Sequence, residues 1–477
     1  MRSDFPAHTL RLPALALALL MTGCALTPAY RQPAVATSAA FKEAQGWVAA
    51  APADALDRGA WWTLFNDPLL NELASQVEVS NQNVAAAAAA YTQARALVEQ
   101  QRAALFPVVS LDGGATRSGG RSGTVSSTGA TASRTGNNVQ LSIGGTWEAD
   151  VWGRLRATVN NASASAQASA ADLASAKLSA QGELVADYLN LRLTDAQAAL
   201  LRDTIAGYER VLQIARNRYA AGVAPKTDVL QSETQLANAQ ADLVGLQRQR
   251  AQLEHAIAVL VGKAPADFAI APATWTPVVP AVPPGVPSTL LQRRPDIAAA
   301  ERRVAAANEQ IGVARAAYFP SLGLNASYGS GATTVADLFS ASTTLWSLGI
   351  STAETLFNAG ATGARVDQAR AAYDQAVARY RQTVLAAFQN VEDQLAAAQV
   401  LQRQQELRRA ASQAADEAET QFLNRYRAGQ VSYTEVVTAQ VSALNARRAL
   451  VQAQADRQTA AVSLIQALGG GWHAPSE

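Results

Sequence analysis

Apolar residues recur with a helical period over most of this chain. The first such stretch opens at Trp61 and runs to about Leu105, before Pro107. Further stretches cover residues 153–219, 226–260, 295–318, 362–426 and 432–468. A proline-free helix over residues 153–219 would extend roughly 100 Å at about 1.5 Å per residue. The pattern predicts a mainly α-helical protein whose long helices exceed the size of a compact domain.

The apolar positions in the stretch at residues 362–426 indicate which kind of helix packing to expect. Its apolar positions step by three or four residues with a mean of about 3.6, the period of a straight helix rather than of a left-handed coiled coil. Alanines fill many flanking positions and let neighbouring helices approach closely. The stripe comprises Val366, Ala369, Tyr373, Val377, Tyr380, Val384, Phe388, Val391 and Leu395.

Two segments, 108–150 and 321–352, alternate between apolar and small polar residues and so predict two hairpins. Each strand has about ten residues, which suffices for a tilted strand to cross a bilayer. One face is apolar with aromatic residues near its ends, as in outer-membrane barrels. The apolar positions include Val109, Leu111, Val139, Leu141, Ile143, Trp147, Leu322, Leu324, Tyr328, Trp346, Leu348 and Ile350.

Four strands cannot close a barrel, and lipid does not tolerate an open sheet edge. The hairpins therefore either combine with those of other copies in a membrane or form a small sandwich outside it. The strand pattern leaves both interpretations open.

The chain also repeats itself. NRYAAG at 217–222 returns as NRYRAG at 424–429, 207 positions later. An internal duplication of this length is a repeated unit rather than a short solenoid repeat. We expect a first repeat at 63–261, with hairpin 108–150, and a second at 293–470, with hairpin 321–352. A proline-rich linker, 262–292, separates them, and 471–477 form a tail.

Local signals explain the repeated phrase. Gly222 and Gly429 are expected to end helices in the left-handed conformation. Arg218 and Arg425 would lie in the last helical turns, where cations complement the helix dipole. Ser432-x-x-Glu435 matches a capping box that starts the next helix.

The N-terminus predicts a targeting signal. Residues 1–23 combine arginines with a short apolar core and end in small residues before Cys24, the only cysteine. An ordinary signal peptide is one interpretation. Gly23-Cys24 resembles a bacterial lipobox, and we expect a thioether-linked lipid on Cys24 at the start of an N-terminal segment, 24–62. No aspartate follows Cys24, which favours the outer membrane.

Composition excludes several classes. The formal net charge of +1 does not favour nucleic-acid binding. The three histidines lack metal-site spacing, the glycine clusters lack a phosphate-loop lysine, and no catalytic set is apparent. We expect neither an enzyme, a metal site nor a cofactor.

Several motifs in order resemble the outer-membrane efflux factor family, specifically the TolC-like lipoprotein branch that includes OprM. They are WWTLFNDPLLNEL, WEADVWGRLR, the paired RYxAG turns, QRRPDIAAAERRVAAANEQIGVARAAYFPSLGL and LFNAG. The resemblance covers nearly all of 24–470.

The resemblance implies a homotrimer with a twelve-stranded β-barrel in the outer membrane and an α-barrel of long helices in the periplasm. The linker and the chain ends would build an equatorial belt. Such proteins are exit ducts of tripartite efflux pumps or type I secretion systems. The implied partners are outer-membrane lipid, with palmitate on the anchor, a periplasmic adaptor and an inner-membrane transporter of the RND type. The exported compound is not implied.

The resemblance also assigns roles to the turns. Arg218, Gly222, Arg425 and Gly429 would lie at the periplasmic tip and contact the adaptor. Related proteins place gate aspartates six or nine residues after the second tip glycine, where this chain has Glu435 and Thr438. Thr438 departs from the acidic pattern. Asp228 and Gln231 are the matching residues of the first turn.

A second interpretation is a periplasmic adaptor or scaffold lipoprotein without a pore. An adaptor of that kind usually has one helical hairpin flanked by β-domains. This chain has duplicated hairpins and too few predicted strands, and detergent-dependent extraction would separate the two interpretations.

Overall fold

A computed structural model of the chain describes residues 26–43, 60–121, 133–280, 293–340 and 343–472. Residues 1–23, Cys24 and part of the proline-rich linker lie outside these ranges. The described helices are α1 (Pro68–Ser80), α2 (Gln82–Ala103), α3 (Arg154–Ala220), α4 (Lys226–Leu260), α5 (Pro295–Ala316), α6 (Ala361–Arg427) and α7 (Tyr433–Ala467). The described strands are β1 (Val108–Arg121), β2 (Ser133–Glu148), β3 (Ser321–Ala332) and β4 (Thr344–Ala353). Short 3₁₀ helices cover Trp61–Phe65, Pro265–Asp267 and Ala336–Phe339.

The helix lengths confirm the duplication. The helices α2 and α5 each have 22 residues, α3 and α6 each have 67, and α4 and α7 each have 35. The predicted stripe of α6 is buried at six of its nine positions and half-buried at Tyr373, Val377 and Phe388. A mainly helical fold with a small β part is therefore confirmed. None of the helices within the described ranges is apolar and long enough to cross a membrane.

The first helical stretch differs from the prediction. Instead of one helix to Leu105, a 3₁₀ turn and two α-helices are separated at Asn81, whose backbone is extended (φ −68°, ψ 125°). Its side-chain Oδ1 accepts hydrogen bonds from Asn83 N (2.9 Å) and Val84 N (3.1 Å), and so caps α2. Its Nδ2 donates to Leu260 O at 2.9 Å. An asparagine that competes with the helix backbone in this way ends one helix and starts the next.

The four strands form one antiparallel sheet in the order β1-β2-β3-β4. The strands have 14, 16, 12 and 10 residues, so three are longer than predicted. β2 pairs with β3 and joins the two hairpins edge to edge. The sandwich interpretation is therefore wrong, because the hairpins share one sheet instead of packing face to face.

The register places the apolar residues on one face. Ile143 pairs with Tyr328, which pairs with Trp346. In the single chain Tyr328 is 60% exposed and Trp346 is 76% exposed. The other face carries small polar groups, such as Ser327 and Ser347, whose hydroxyl oxygens lie 2.8 Å apart. The sheet thus exposes an apolar surface that a single chain leaves uncovered.

The described residues fall into two compact units. One draws on the described residues within Met1–Pro33, Thr92–Ala168 and Ala300–Tyr380 and contains the sheet, and the other draws on those within Ala34–Tyr91, Ser169–Ala299 and Arg381–Glu477. Each unit takes residues from both sequence repeats.

The largest apolar core among the described residues lies in the second unit. Trp61 (1% exposed) and Trp62 pack with side chains of α1, α3, α4, α6 and α7 in this core. A buried polar chain runs beside it. Asp67 caps α1 and accepts a hydrogen bond from Tyr188 Oη at 2.5 Å, and Arg192 donates to Tyr188 Oη at 3.1 Å. The buried polar groups are satisfied by one another, as their loss of water requires.

The same network fixes the start of the linker. Asp195 accepts from Arg192 (3.0 Å) and from Arg250 (2.8 Å). Arg250 donates a hydrogen bond to the carbonyl oxygen of Ile270, and the Glu254 carboxylate accepts one from the backbone nitrogen of Ile270. Side chains of α3 and α4 therefore hold linker residues that have no helix or strand of their own.

Candidate functional site

The two NRYxAG turns have the same backbone geometry. Gly222 and Gly429 have positive φ angles of +71° and +76°. Val223 N donates to Arg218 O (3.0 Å), and Gln430 N donates to Arg425 O (2.9 Å). These are the hydrogen bonds of a Schellman C-cap, and they confirm the predicted ends of α3 and α6.

The helices that leave the turns start differently. α7 begins with the predicted capping box, in which Ser432 N donates to Glu435 Oε2 at 2.8 Å. α4 follows Pro225, which offers no side-chain cap. The Glu435 carboxylate is thus held at its own helix N-terminus, where the dipole also stabilises negative charge.

A cross-repeat cluster joins the two turns. Arg218 Nη1 donates to Tyr426 O at 2.8 Å, and its guanidinium carbon lies 4.7 Å from the centre of the Tyr426 ring. Tyr426 Oη donates to Asp228 Oδ2 at 3.3 Å. The first repeat therefore supplies an arginine and a carboxylate to one tyrosine of the second repeat. We call Arg218, Tyr426 and Asp228 the tip triad.

A second tyrosine supports the tip triad from the start of α7. The ring of Tyr433 lies 5.4 Å from that of Tyr426, and both side chains are 2% exposed. Tyr433 also shares a hydrogen bond with Ser232 of α4, which is 1% exposed. Val211 and Val436 complete the buried group. Four helices thus meet at this cluster.

The environment keeps both phenols neutral. Burial raises the pKa of Tyr426 to about 12, and the Asp228 charge adds to the effect while Arg218 opposes it. Burial also raises the pKa of Tyr433, against the hydrogen bond with Ser232. Tyr426 therefore keeps its proton, and remains a donor to Asp228, throughout the physiological range.

The other predicted tip residues are on the surface. Arg425, Glu435 and Thr438 are exposed, and Thr438 Oγ1 donates to Thr434 O at 2.9 Å within its own helix. Glu435 and Thr438 line a groove of about 390 Å³ between α6 and α7. Its lining comprises Ala415, Ala418, Phe422, Ser432, Thr434, Glu435, Thr438, Ala439 and Ser442.

Sequence reasoning found the positions but not the tyrosines. Arg218 and Asp228 were selected, and the structure brings them together through Tyr426, which was not. The available signal was the tyrosine that follows the arginine in both NRYxAG phrases. Tyr433 and Ser232 carried no signal, because neither type recurs at the matching position of the other repeat.

Residues 26–30 lie along α5 within the first unit. Asn308 Nδ2 donates to Pro28 O (2.8 Å), and Arg315 Nη1 donates to Leu26 O (3.3 Å). Tyr30 Oη donates a hydrogen bond to Glu301, which lies nearer the start of the same helix. Because α5 leads directly into β3, these contacts bring Leu26 to the end of α5 that precedes the sheet. Cys24 itself lies outside the described residues.

Comparisons with known proteins agree over most of the chain. The family model described as outer membrane efflux protein matches residues 73–263 and 286–470. A Pseudomonas putida protein named probable efflux pump outer membrane protein TtgC is 33% identical over 462 residues, 96% of this chain and 94% of that protein. The pyoverdine export outer membrane protein OpmQ of Pseudomonas aeruginosa is 31% identical over 460 residues, 95% of each chain.

Solved structures show the same fold. The outer-membrane channel OprN superposes with a TM-score of 0.85 at 30% identity, over 94% of this chain and 100% of that chain. The open state of the MtrE outer membrane channel of Neisseria gonorrhoeae gives a TM-score of 0.83 at 28% identity, over 95% and 100%.

Proposed function

The chain belongs to the outer membrane efflux protein family, and from that premise we propose that it is the exit channel of a tripartite efflux pump. It is an outer-membrane efflux channel that conducts small molecules passively from the periplasm to the outside. Family members are channels rather than enzymes, and we propose no catalytic role, metal site or cofactor.

The exposed apolar face of the sheet is the observation that carries this proposal. Within the described residues β1 and β4 each pair with one neighbour only. In lipid those outer edges require partners, since unpaired backbone groups are costly there. Three copies supply twelve strands, a closed β-barrel whose outer face is the apolar one and whose inner face is small and polar. The long helices of the three copies then form the α-barrel in the periplasm.

We propose an outer-membrane location with a lipid anchor on Cys24, palmitate included, after removal of residues 1–23. The support is that α5 binds the segment at 26–30 and contacts Leu26 at the end of the helix nearest β3. An anchor two residues before Leu26 would then reach the same leaflet as the base of the barrel.

For the domains, we propose that residues 63–261 and 293–470 are the two structural repeats, with an equatorial belt built from 24–62, 262–292 and 471–477. The network from Asp195 to Ile270 supports a belt that is fixed to the helices. We propose no nucleic-acid partner for the chain, since its formal net charge is only +1.

The tip is the proposed docking end. We propose that Arg218, Gly222, Arg425 and Gly429 contact a periplasmic adaptor, which couples the channel to an inner-membrane transporter of the RND type. The support is that both turns have the same backbone geometry, so three chains would present six turns of equivalent backbone.

For the gate, we propose Glu435, Thr438 and Asp228. Asp228 acts through Tyr426, because their hydrogen bond joins the helix pair α3–α4 to the helix pair α6–α7 of the same chain. Glu435 and Thr438 are exposed beside the groove of α6 and α7. The Glu435 side chains of three chains would form a ring that narrows the pore, and their negative charge would attract cations.

The function is tested by electron microscopy of the detergent-extracted protein, with light scattering for the mass and planar bilayers for conductance. We expect a three-fold hollow particle that inserts as a channel. A water-soluble monomer without conductance would overturn the proposal.

The gate is tested with Glu435→Gln, because glutamine keeps the capping box while it removes the charge. We expect the ratio of cation to anion permeability to fall about twofold. Glu417→Gln, at an exposed position of α6, is the control and should leave that ratio unchanged. Equal ratios for wild type and Glu435→Gln would remove Glu435 from the gate.

A further inference from the structure

We propose that Arg425 and Glu435 of one chain bind Tyr219 of the next chain, and that this contact is the copy of the tip triad between subunits. The proposal rests on the trimeric channel of the proposed function. It assigns Arg425 a partner in a second copy of this chain in addition to any adaptor contact.

The repeat supplies the matching residues. Arg425 lies 207 positions after Arg218, Tyr426 lies 207 after Tyr219, and Glu435 lies 207 after Asp228. In every pair the chemical type is kept: an arginine, a tyrosine and a carboxylate. The three groups of the tip triad therefore exist twice in each chain.

Only one of the two sets is assembled within the chain. Tyr426, which receives Arg218 and donates to Asp228, is 2% exposed, whereas Tyr219 is 48% exposed. Arg425 and Glu435 are likewise exposed. The unassembled set thus lies open on the surface of a single chain.

Ring geometry explains why the second set waits for another chain. In the tip triad the second repeat gives the tyrosine and the first repeat gives the arginine and the carboxylate. Around a trimer the repeats alternate, so each second repeat also faces the first repeat of the next chain. There the roles reverse: Arg425 and Glu435 belong to the second repeat, and Tyr219 comes from the neighbouring first repeat.

The backbone supports the same placement on both sides. The two turns carry the same pair of cap hydrogen bonds and differ in φ by only a few degrees at their glycines. Arg218 and Arg425 therefore leave their helices from equivalent positions, one turn before equivalent caps. Similar side chains on similar backbones reach similar distances.

The copy is not complete. Tyr433 corresponds to Lys226, and Ser232 corresponds to Ala439, so the contact between chains lacks the second tyrosine and its hydroxyl partner. Glu435 is also shared with the capping box of α7. The contact between subunits is accordingly restricted to three side chains and is the weaker of the two junctions.

Paired cysteines test the proposal in the full-length, lipidated protein. Tyr219→Cys with Arg425→Cys should join neighbouring chains when treated with a short bismaleimide, and a denaturing gel should show covalent dimers and trimers. The matched control is Arg218→Cys with Tyr426→Cys, which should cross-link within one chain and stay at the monomer position. Each single-cysteine variant and wild type give the background.

A second measurement does not depend on cysteine geometry. Tyr219→Phe keeps the ring and removes the hydroxyl that would donate to Glu435. We expect the fraction of time that the purified channel is open in a planar bilayer to rise about tenfold or more, as for loss of a hydrogen bond to a charged group. Tyr91→Phe, away from both turns, should leave it unchanged.

The outcomes separate the two proposals. A particle of trimeric mass whose Tyr219/Arg425 cysteine pair gives only monomers, and whose Tyr219→Phe channel opens like wild type, overturns the subunit contact and leaves the channel function standing. A monomeric particle without conductance overturns both. Dimers and trimers from the first pair alone support the contact.

Discussion

At the scale of single residues, Gly222 and Gly262 share a backbone conformation but not an environment. Their φ angles are +71° and +70°. A Cβ at position 222 would meet nothing within 4 Å, whereas one at position 262 would lie 2.3 Å from the carbonyl oxygen of Ser80. Both sites favour glycine through φ, and only the second also needs its lack of a side chain.

We predict that Gly262→Ala will lower the free energy of unfolding far more than Gly222→Ala. The left-handed conformation costs an alanine about 1–2 kcal/mol at either site. At position 262 the backbone of α1 must also shift, which we expect to add about 2 kcal/mol or more. Thermal unfolding followed by helical circular dichroism measures the difference. Equal losses for the two variants would show that the contact with Ser80 is unimportant.

Asp187, a half-buried residue of α3, has an unusual charge environment. Burial raises the pKa of its carboxyl group to about 6, and the charge of Glu183 one turn earlier adds to the effect. A raised pKa means that the folded state binds the proton more tightly than the unfolded chain does. The stabilising effect is thus complete below about pH 4 and is lost as the pH rises through about 6.

We predict that Asp187→Asn will be more stable than wild type at pH 7.5 and nearly equal to it at pH 4. After a discount for the partial exposure of the group, the gain should be about 1 kcal/mol. The measurement is the thermal midpoint of both proteins at the two pH values. Asp203→Asn, at an exposed position of the same helix, is the control. A gain of the same size at both pH values would contradict the prediction.

At the scale of elements, one asparagine decides where a helix ends. The side chain of Asn81, 3% exposed, caps α2 and also holds the last carbonyl of α4. Its position joins the start of one helix to the end of another. The break between α1 and α2 therefore depends on a contact 179 residues away in sequence.

We predict that Asn81→Ala will destabilise the fold by about 2–3 kcal/mol. Loss of the cap accounts for about 1 kcal/mol, and the unsatisfied buried carbonyl of Leu260 accounts for the rest. Asn83→Ala is the matched control, because Asn83 is exposed and contributes only its backbone to the cap. The thermal midpoints of the two variants are compared. A loss of under about 0.5 kcal/mol for Asn81→Ala would contradict the role assigned to its side chain.

The sequence predicted elements with strong local signals and missed those set by distant contacts. The periodic pattern located α4 at residues 226–260, and the Gly and Ser-x-x-Glu signals located the turns and the start of α7. The break at Asn81 was missed because its partner, Leu260, is remote. The strand pattern alone left open whether β2 pairs with β3, for the same reason. Within the tip, the helix-end signal indicated Arg218 and the family resemblance indicated Asp228, but only three-dimensional contact shows that Tyr426 links them.

At the scale of the whole molecule, two properties of the chain fit an assembly of several copies. The sheet exposes apolar side chains and has incomplete edges, while the tip exposes one of two sets of arginine, tyrosine and carboxylate. Both are explained by one symmetry, because three copies complete the barrel and also place a second repeat beside the next first repeat. Under the proposed subunit contact, the duplication lets one short sequence phrase serve six positions around a ring.

The two faces of the sheet give the sharpest test of this arrangement. Leu348 lies in the middle of β4 on the apolar face and is 77% exposed in the single chain, and its neighbour Ser347 points to the polar face. In a membrane-embedded barrel Leu348 faces lipid and Ser347 faces the lumen. We predict that Leu348→Arg will lose most of the trimer from the outer membrane, because an arginine near the bilayer midplane costs about 2–4 kcal/mol in each chain.

Ser347→Arg is the matched control for that prediction. It places the same charge one residue away on the same strand, where water in the lumen solvates it. We therefore expect normal amounts of heat-modifiable trimer in outer-membrane fractions and an altered single-channel conductance. Normal assembly of Leu348→Arg together with loss of Ser347→Arg would reverse the two faces. Normal assembly of both variants would place the sheet outside the hydrocarbon layer, since only lipid distinguishes two adjacent positions by their direction.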